Sequence, residues 1–415
     1  MVRIARNAKS RVLEALGDTR VVVIQGARQV GKTTLVREIV DSKGGRLVSF
    51  DDPVAANGAR EDPVGFLNSD PGRLLAIDEV QRVPELVLAL KFVVDGDNRP
   101  GRFLLTGSAN LLKLPTIEDS LAGRTESIEL FGLSQGELIG HTEQFIDRAL
   151  SGERFINHTS DLSRSDYLEL AVAGGYPEVL NRAPGRRRDL WFDNYANAIL
   201  RREAEDISNL QRITELPVIL RMLAARSSGE LNIADLARDT NIPQRTLTPY
   251  LELLQTLYLT QNIPAWTTNL SKRVVSRPKV SLLDAGLAAR LMNVSSKGAS
   301  LDANPNLAGG LLETFVAGEI RRQLTWSNET ARLAHFRDQY VGEVDLVLET
   351  PDGRVVGVEV KSNSNPTVKD AKGLSFLREK LGSRFVAGFI LHTGVNSAFF
   401  GDRVAAVPMD ILWRA

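Results

Sequence analysis

The sequence predicts an α/β fold in which a parallel sheet covered by helices precedes a helical region and a C-terminal α+β domain. Strand-like apolar runs alternate with helical patterns up to residue 130, as they do in parallel sheets with helices on both faces. Helical patterns then dominate to about residue 261, and a hairpin pattern follows near residue 350. The chain has 415 residues, more than one hydrophobic core usually organises. We therefore expect domains at residues 1–135, 136–228, 229–300 and 305–415.

The composition excludes several classes of protein. The 51 Lys and Arg residues balance the 51 Asp and Glu residues, so no overall charge excess indicates a nucleic-acid or membrane partner. The chain has no cysteine, which excludes disulfides, zinc-thiolate sites and cysteine nucleophiles. Its start lacks the apolar segment of a signal peptide, and its longest apolar run, Leu86–Val94, is too short to span a bilayer. We therefore expect a cytoplasmic protein with no membrane partner.

The first domain is predicted to contain a short helix and five strands. The helix follows from the helical spacing of Val12, Leu13 and Leu16, and Gly17-Asp18 ends it. Because ligands of parallel α/β sheets bind at the carboxyl ends of the strands, functional side chains are expected there. The predicted strands are Val21–Gln25, Arg46–Phe50, Leu74–Ile77, Arg102–Leu105 and Ser127–Leu130.

A phosphate-binding loop follows the first strand. Residues 26–33 fit G-x-x-x-x-G-K-[ST] and run into a helical pattern. In such a loop the backbone amides and the helix N-terminus surround phosphate oxygens, Lys32 reaches the β- and γ-phosphates of ATP, and the Thr33 hydroxyl binds Mg²⁺. A chance Gly-Lys-Thr is the alternative, which the preceding strand disfavours. The predicted nucleotide-binding residues are Gly26, Ala27, Arg28, Gln29, Val30, Gly31, Lys32, Thr33 and Thr34.

Two acids follow the predicted strand Leu74–Ile77, as in a Walker B motif. Asp78 would hold the Mg²⁺, and Glu79 would orient or deprotonate the attacking water. Two acids after a strand can also form an ordinary solvated turn. The phosphate-binding loop upstream favours the catalytic interpretation.

Three further residues are candidates for the reaction. Thr106 and Ser108 follow the next strand, where they would sense the γ-phosphate or the water, or serve only in a turn or a helix cap. Arg124 precedes the last strand. It is predicted to stabilise transition-state charge in its own or a neighbouring subunit, and the alternative is a surface arginine.

These motifs resemble the AAA-type P-loop ATPases of bacteria and archaea (AAA_14-like) that carry a C-terminal domain of unknown function (DUF4143-like) with a restriction-endonuclease-like fold. The likeness covers nearly the whole chain. It implies ATP and Mg²⁺ as cofactors and leaves the cellular role open. The stretches that carry it are Gly26–Thr33, Ile77–Gln81, Thr106–Ser108, Leu121–Arg124, Gly174–Glu178, Lys279–Leu287 and Glu359–Lys361.

The middle of the chain offers two candidate nucleic-acid contacts. One is a basic loop around Pro184-Gly185, which either contacts a polyanion or is simply solvated. The other is a winged helix-turn-helix pattern over Glu230–Trp266, with Tyr258–Ile263 and Lys279–Leu283 as wing strands. Pro249 interrupts its second helix, which favours packing over DNA reading. The arginines of the basic loop are Arg182, Arg186, Arg187 and Arg188.

The C-terminal domain is predicted to contain a helix followed by a hairpin. Pro351-Asp352-Gly353 fits a three-residue hairpin loop with a left-handed glycine, which pairs Thr350 with Arg354 and Asp345 with Glu359. A period of two then groups polar side chains on one face and apolar ones on the other. The polar set is Glu343, Asp345, Glu359 and Lys361, and the apolar set is Val344, Leu346, Leu348, Val356, Val358 and Val360.

The resemblance implies that this polar face is a nuclease-type metal site. Asp345 and Glu359 would then bind Mg²⁺ or Mn²⁺, Glu313 on the preceding helix would complete the ligands, and Lys361 would orient the water or stabilise the phosphorane. The alternative is a hairpin with one wet, charge-paired face.

Two functions remain open at this stage. The first is an ATP-driven switch or remodeller coupled to the C-terminal domain. The second is an ATP-regulated, metal-dependent nuclease or another nucleic-acid-processing protein. A homo-oligomer, DNA or RNA, and a protein partner are all candidate partners.

Overall fold

The chain folds into two compact units. The computed structural model describes residues 4–107, 121, 123–203, 213–269, 273, 276–295, 304–338 and 340–415. The first unit comprises Met1–Leu133 and Thr256–Tyr258, and the second comprises Ser134–Gln255 and Leu259–Ala415. Three residues from the middle of the sequence therefore belong to the N-terminal unit.

The first unit alternates helices and strands as predicted. Within the described residues, its elements are α1 (Ala8–Asp18), β1 (Val21–Gln25), α2 (Lys32–Lys43), β2 (Arg46–Ser49), α3 (Pro53–Glu61), α4 (Pro63–Leu67), β3 (Leu75–Asp78), α5 (Glu85–Gly96), β4 (Phe103–Gly107) and β5 (Thr125–Glu129).

The five strands form one parallel sheet in the order β2-β3-β4-β1-β5. Each strand lies within two residues of its predicted position, so the predicted α/β class is confirmed. This sheet, with helix α2 following β1, resembles the P-loop AAA fold. Every residue of β1, β3 and β4 is buried, whereas the edge strands β2 and β5 are partly exposed. The central strands are therefore continuous apolar runs, as expected of a sheet covered on both faces.

Helix α5 covers one face of this sheet. Its side chains Leu86 and Leu90 belong to one apolar cluster with Val21, Val23 and Ile77 of the strands. Val21 and Val23 both face this helix, because side chains two positions apart in a strand share a face.

The second unit begins with helices and ends in a mixed sheet. Within the described residues, its elements are α6 (Gln135–Ile139), α7 (Phe145–Leu150), α8 (Arg164–Ala173), α9 (Pro177–Leu180), α10 (Arg186–Ala198), α11 (Leu216–Ala225), β6 (Gly229–Glu230), α12 (Ile233–Thr240), α13 (Gln244–Thr256), β7 (Thr260–Ile263), β8 (Lys279–Leu282), α14 (Ala285–Leu291), α15 (Pro305–Gln323), β9 (Arg332–Asp338), β10 (Gly342–Glu349), β11 (Val355–Val360), α16 (Lys372–Leu381), β12 (Phe385–His392), β13 (Ala398–Phe399), β14 (Val404–Pro408) and α17 (Ile411–Arg414).

The C-terminal sheet has six strands in the order β13-β14-β12-β11-β10-β9. Strand β12 pairs in parallel with β11 and β14, and the other pairs are antiparallel. A C-terminal α+β domain is thereby confirmed. The predicted hairpin register holds from the pair Leu346 and Val358 to the pair Glu349 and Val355. Gly353 in the loop has φ 87°, the left-handed conformation that the turn requires.

The predicted faces of the hairpin are partly wrong. An uninterrupted period of two would put Val344 on the side of Leu346. Strand β10 instead has a bulge against β9 between Val344 and Val347, and these two valines pack in one apolar cluster with Leu374 of α16. A bulge adds one residue to a strand, which reverses the alternation beyond it.

Most of the hairpin is buried on both faces. Val347 and Val355 are fully buried in the cluster with α16, and Leu346 and Val358 are fully buried as well. The exposed fraction of Asp345 is 4% and that of Glu359 is 5%. Asp345 and Glu359 are therefore buried rather than solvated, because β12 extends the hairpin into a wider sheet that helices cover.

The region 229–282 has the element order of a winged helix-turn-helix. Asn241, with φ 56°, separates α12 from α13, and strands β6, β8 and β7 form a three-stranded antiparallel sheet. Helix α13 begins at Gln244 and continues through Pro249. Pro249 therefore lies inside the helix and does not begin it. The expectation that this region packs against its neighbours rather than reads DNA stays a prediction.

Two of the stretches that carry the family resemblance meet in a buried junction. The carboxylate of Asp284 accepts hydrogen bonds from the N–H of Gly175 at 2.8 Å and of Leu287 at 2.9 Å, and the second bond caps α14. The backbone of Gly174 has φ 67°. A Cβ atom on Gly286 would lie 2.7 Å from the ring of Phe192 and 2.8 Å from Gly174. These residues therefore join α8, α10 and α14 by close packing.

Among the helices of the described residues, none has both the length and the apolar character required to cross a lipid bilayer.

The close approach at Gly286 gives a stability prediction. Gly286→Ala should lower the free energy of unfolding by about 1–3 kcal/mol, because the added methyl group has no space beside Phe192 and Gly174. Gly309→Ala is the matched control, since a Cβ atom there meets nothing within 4 Å and lies inside α15. That control should be neutral or stabilising by about 0.4–1 kcal/mol. Thermal and urea unfolding of both variants would measure the difference, and equal stability would contradict the packing argument.

Candidate functional site

The loop after β1 has the backbone of a phosphate-binding loop. Gln29 and Gly31 have positive φ angles, 64° and 98°, and Gly31 caps α2. A Cβ atom on Gly26 would lie 2.0 Å from the carbonyl oxygen of Leu130, so only glycine fits there. The loop thus turns back over the strand ends and points the N-terminus of α2 at the space it encloses.

The ammonium group of Lys32 lies inside this loop. It donates to the carbonyl oxygens of Gly26 and Ala27, both at 2.8 Å, and the residue is 5% exposed. Carbonyl oxygens are neutral acceptors, and an ammonium group can exchange them for charged phosphate oxygens, which are stronger acceptors. Lys32 is therefore positioned to bind phosphate groups.

The carboxylate of Asp78 joins the ends of three elements. It accepts a hydrogen bond from the Thr33 hydroxyl of α2 at 2.8 Å, and its other oxygen accepts one from the Thr106 hydroxyl of β4. The predicted partners Thr33 and Asp78 thus meet, and Thr106 meets them. A cleft of about 640 Å³ opens beside Thr33 and Asp78. Two hard oxygen ligands beside an open cleft fit Mg²⁺, which keeps several of its waters when bound.

Glu79 follows Asp78 in a left-handed conformation, with φ 58°. Its backbone N–H donates to the Thr106 hydroxyl at 3.3 Å, and the Gln81 amide donates to its carboxylate. The backbone turn separates the two acids, so the side chain of Glu79 does not contact Thr33 as Asp78 does. This separation suits two different roles.

Arg6 supports the phosphate-binding loop, a role that no sequence pattern indicates. Its guanidinium donates to the carbonyl oxygen of Val30 in the loop and to that of Phe131 after β5, both at 2.7 Å. The residue is 9% exposed. The contacts span 24 and 125 residues, so no local pattern could reveal them.

Arg124 lies at the N-terminal ends of the strands, whereas the phosphate-binding loop lies at their carboxyl ends. In the parallel pair β1/β5, Thr125 is level with Val21 and Glu129 with Gln25. The two ends of such a five-residue strand, four steps apart at about 3.3 Å per residue, are about 13 Å apart. The guanidinium pairs with Asp95 of α5 at 2.6 Å. Arg124 is therefore remote from the loop of its own chain, and Ser108 lies outside the described residues.

The second candidate site lies in the second unit, and it contains a lysine that the sequence analysis did not assign to it. Lys279 of β8 is 1% exposed. Its ammonium group lies 2.7 Å from Glu313 Oε1 on α15 and 3.0 Å from Asp345 Oδ1 on β10. Burial alone would lower the pKa of Lys279, but the two carboxyl groups raise it above its usual value. The lysine therefore stays charged.

The other predicted residues of this site are adjacent. The Lys361 ammonium group donates to Glu359 Oε1 at 2.7 Å, and Asp345 Oδ2 accepts from the Val360 N–H at 2.9 Å. Glu359 Oε2 is buried and has no hydrogen-bond partner. Burial, together with the nearby charge of Asp345, raises the pKa of Glu359 to about 8. The structure thus brings the predicted acids together, with two lysines among them.

This arrangement does not fit a bound metal ion. Glu313 and Asp345 direct oxygens at the ammonium group of Lys279, which fills the space between them. Within the parts of the chain that are described, no three acidic or histidine side chains converge closely enough to hold a metal ion. The expectation of Mg²⁺ or Mn²⁺ at this site is not supported.

A polar cleft of about 780 Å³ opens beside these residues. Glu313, Asp345 and Lys361 line it together with the exposed Glu343. Arg226 and Arg238 line it too, but each pairs with an acid, Asp239 and Asp235 respectively. The cleft is thus acidic on balance.

Family models match three parts of the chain. An AAA domain model matches residues 18–139, a domain of unknown function (DUF8612) matches residues 164–298, and a second domain of unknown function (DUF4143) matches residues 308–412. Two similar proteins are the uncharacterized proteins Mb2031c of Mycobacterium bovis and Rv2008c of Mycobacterium tuberculosis. Each is 30% identical over 405 residues, which is 98% of this chain and 83% of the relative.

Three solved structures were also found to be similar to part of this chain. The Thermotoga maritima RuvB Holliday junction branch migration motor is 21% identical, with a TM-score of 0.29 over 63% of this chain and 90% of that chain. AMPPCP-bound DnaA from Aquifex aeolicus is 17% identical, with a TM-score of 0.29 over 60% and 86%. The Aeropyrum pernix ORC2 protein is 16% identical, with a TM-score of 0.29 over 75% and 93%.

Proposed function

Because this chain belongs to a family of AAA-type P-loop ATPases with a C-terminal DUF4143 domain, the family of the two uncharacterized mycobacterial proteins, we propose that it hydrolyses ATP with Mg²⁺ and acts as a switch or remodeller of its own C-terminal domain. The observation that carries this proposal is that Lys32, Thr33, Asp78 and Glu79 all lie at the carboxyl ends of the strands. No other part of the described chain combines a phosphate-binding loop with acids.

Each side chain at these strand ends has one role in the proposed reaction. The loop amides and Lys32 would hold the β- and γ-phosphates, and Thr33 and Asp78 would hold Mg²⁺. When bound, Mg²⁺ would neutralise charge on the phosphate oxygens. Glu79 would accept the proton of the attacking water, and Thr106 would keep Asp78 and the Glu79 backbone in place.

The roles of Lys32 and Glu79 can be separated by measurement. Lys32→Ala should remove most ATP affinity, because the charge that faces the phosphates is lost. Glu79→Gln should keep ATP affinity but slow hydrolysis by roughly 10²–10⁴-fold, because the water loses its base. Calorimetry with ATP and Mg²⁺ and a phosphate-release assay would measure both. Lys43→Ala and Glu85→Gln, at the ends of α2 and α5, are the matched controls. Wild-type affinity in Lys32→Ala would contradict the site assignment.

A homo-oligomer is part of the proposal, and the position of Arg124 supports it. This arginine lies at the N-terminal ends of the strands, and the loop of its own chain lies at their carboxyl ends. It can therefore act on a nucleotide only if a neighbouring subunit supplies that nucleotide. An arginine that enters from a second subunit stabilises the charge of the transition state.

Mixing two inactive variants tests this arrangement. Arg124→Ala should lose hydrolysis on the order of 10³-fold. When it is mixed with Lys32→Ala, an intact loop from one variant meets Arg124 from the other, so activity should return in part. Arg99→Ala is the control, because Arg99 is also paired with an acid, Asp97, at the surface. A mixture that stays inactive while the variants assemble would refute action between subunits.

Coupling to the rest of the chain is proposed to begin at Arg6. Arg6 contacts both the phosphate-binding loop and the carbonyl of Phe131. The ring of Phe131 packs edge-on against Tyr258, with 6.4 Å between the ring centres. Tyr258 belongs to the first unit but lies between α13 and β7 in the sequence. A change in the loop on ATP binding would therefore reach the ends of α13 and β7 through the chain itself.

Hydrogen exchange would test this route. A nonhydrolysable ATP analogue should change amide exchange in α13 and β7 of the wild type. Tyr258→Ala should lose that response while its ATP affinity is unchanged, because Tyr258 is not one of the predicted nucleotide-binding residues. Tyr258→Phe, which keeps the ring, should respond like the wild type. An unchanged response in Tyr258→Ala would exclude this route.

The alternative proposal is an ATP-regulated, metal-dependent nuclease with DNA or RNA as its partner. The acids Glu313, Asp345 and Glu359 lie together beside an open cleft, which favours it. Lys279 among those acids and the acidic lining of the cleft disfavour it. The switch is therefore the function that we prefer.

A further inference from the structure

We propose that the buried ammonium group of Lys279 occupies the position between Glu313 and Asp345 that a divalent cation would take, so that the second unit contains a cation site masked by its own chain. This inference concerns the second unit and does not depend on ATP hydrolysis.

The contacts of Lys279 are those of a cation in a ligand set. Its nitrogen lies 2.7 Å from Glu313 Oε1 and 3.0 Å from Asp345 Oδ1. The two acids come from α15 and β10, whereas the lysine comes from β8, which is a strand of another sheet. Ca²⁺ binds carboxylate oxygens at about 2.3–2.6 Å and Mg²⁺ at about 2.0–2.1 Å. Small movements of the two side chains would therefore suit Ca²⁺ or Mn²⁺ more readily than Mg²⁺.

Glu359 is the third carboxyl group of this cluster and lies near Asp345. Glu359 Oε2 is buried and has no hydrogen-bond partner, although Glu359 as a whole is 5% exposed. Buried polar atoms are nearly always paired, so an orphaned carboxylate oxygen indicates a missing partner. Glu359 shares its other oxygen with Lys361. The cluster thus contains three carboxyl groups and two ammonium groups.

A cation could reach the cluster from solvent. Glu313 and Asp345 both line the acidic cleft of about 780 Å³. An entry path is one of the requirements for a metal site, and an acidic lining concentrates cations. The lysine is therefore what keeps such an ion from the two carboxylates.

Replacing the lysine should uncover the site. Lys279→Met keeps the length of the side chain and removes its charge, so the full-length variant without nucleotide should bind Mn²⁺ or Ca²⁺. Its Tm should rise by roughly 5 °C or more when the ion is about a hundredfold above its Kd. The wild type should show no such rise. Lys361→Met is the matched control: it removes the other ammonium group but leaves Lys279 in place, so it should show no rise either.

Further variants decide the outcome. Lys279→Met with Asp345→Asn should lose the gained binding, because one of the two carboxylates is gone. If Lys279→Met does not fold alone, its refolding with and without millimolar Mn²⁺ makes the same comparison. Recovery that depends on Mn²⁺ supports the masked site, and equal recovery overturns it. Binding of Mn²⁺ by the wild type that is lost in Asp345→Asn would also overturn it, because the site would then not be masked.

Discussion

A buried charge must be paired, and this constraint determines how both units are built. Moving an ammonium or carboxylate group out of water is costly unless hydrogen bonds and opposite charges compensate. In the first unit, Asp78 and Lys32 satisfy it with hydroxyl and carbonyl groups, which a nucleotide and its ion can replace. In the second unit, Lys279 satisfies it with two carboxylates. One cluster is thus open to a ligand, and the other is closed by the chain.

The difference between the clusters follows from the elements that supply them. The ligand-binding side chains of the first unit come from the carboxyl ends of parallel strands and from the start of α2, so they face a common edge. The acids of the second unit come from a hairpin and a helix, and β8 from a separate sheet places a lysine between them. A resemblance in acids alone therefore does not establish a metal centre.

Local sequence patterns predicted the first unit well. Its strands, the phosphate-binding loop and the contact of Thr33 with Asp78 follow from apolar runs and one motif, because these features depend on neighbours in the sequence. The hairpin register followed from the turn residues for the same reason. The bulge beside Val344 could not be predicted, since it depends on pairing with β9. Nor could the partners of Lys279, which lie 34 and 66 residues away.

The support given by Arg6 has a consequence for the design of fragments. The AAA domain model begins at residue 18, after Arg6, and ends at residue 139, long before Tyr258. A fragment cut to those limits would keep the nucleotide motif but lack the guanidinium that holds Val30 and the ring that packs on Phe131. Weak nucleotide binding by such a fragment would reflect the cut and not the motif. The smallest piece that preserves the loop is discontinuous in sequence, so this unit is best studied within the intact chain.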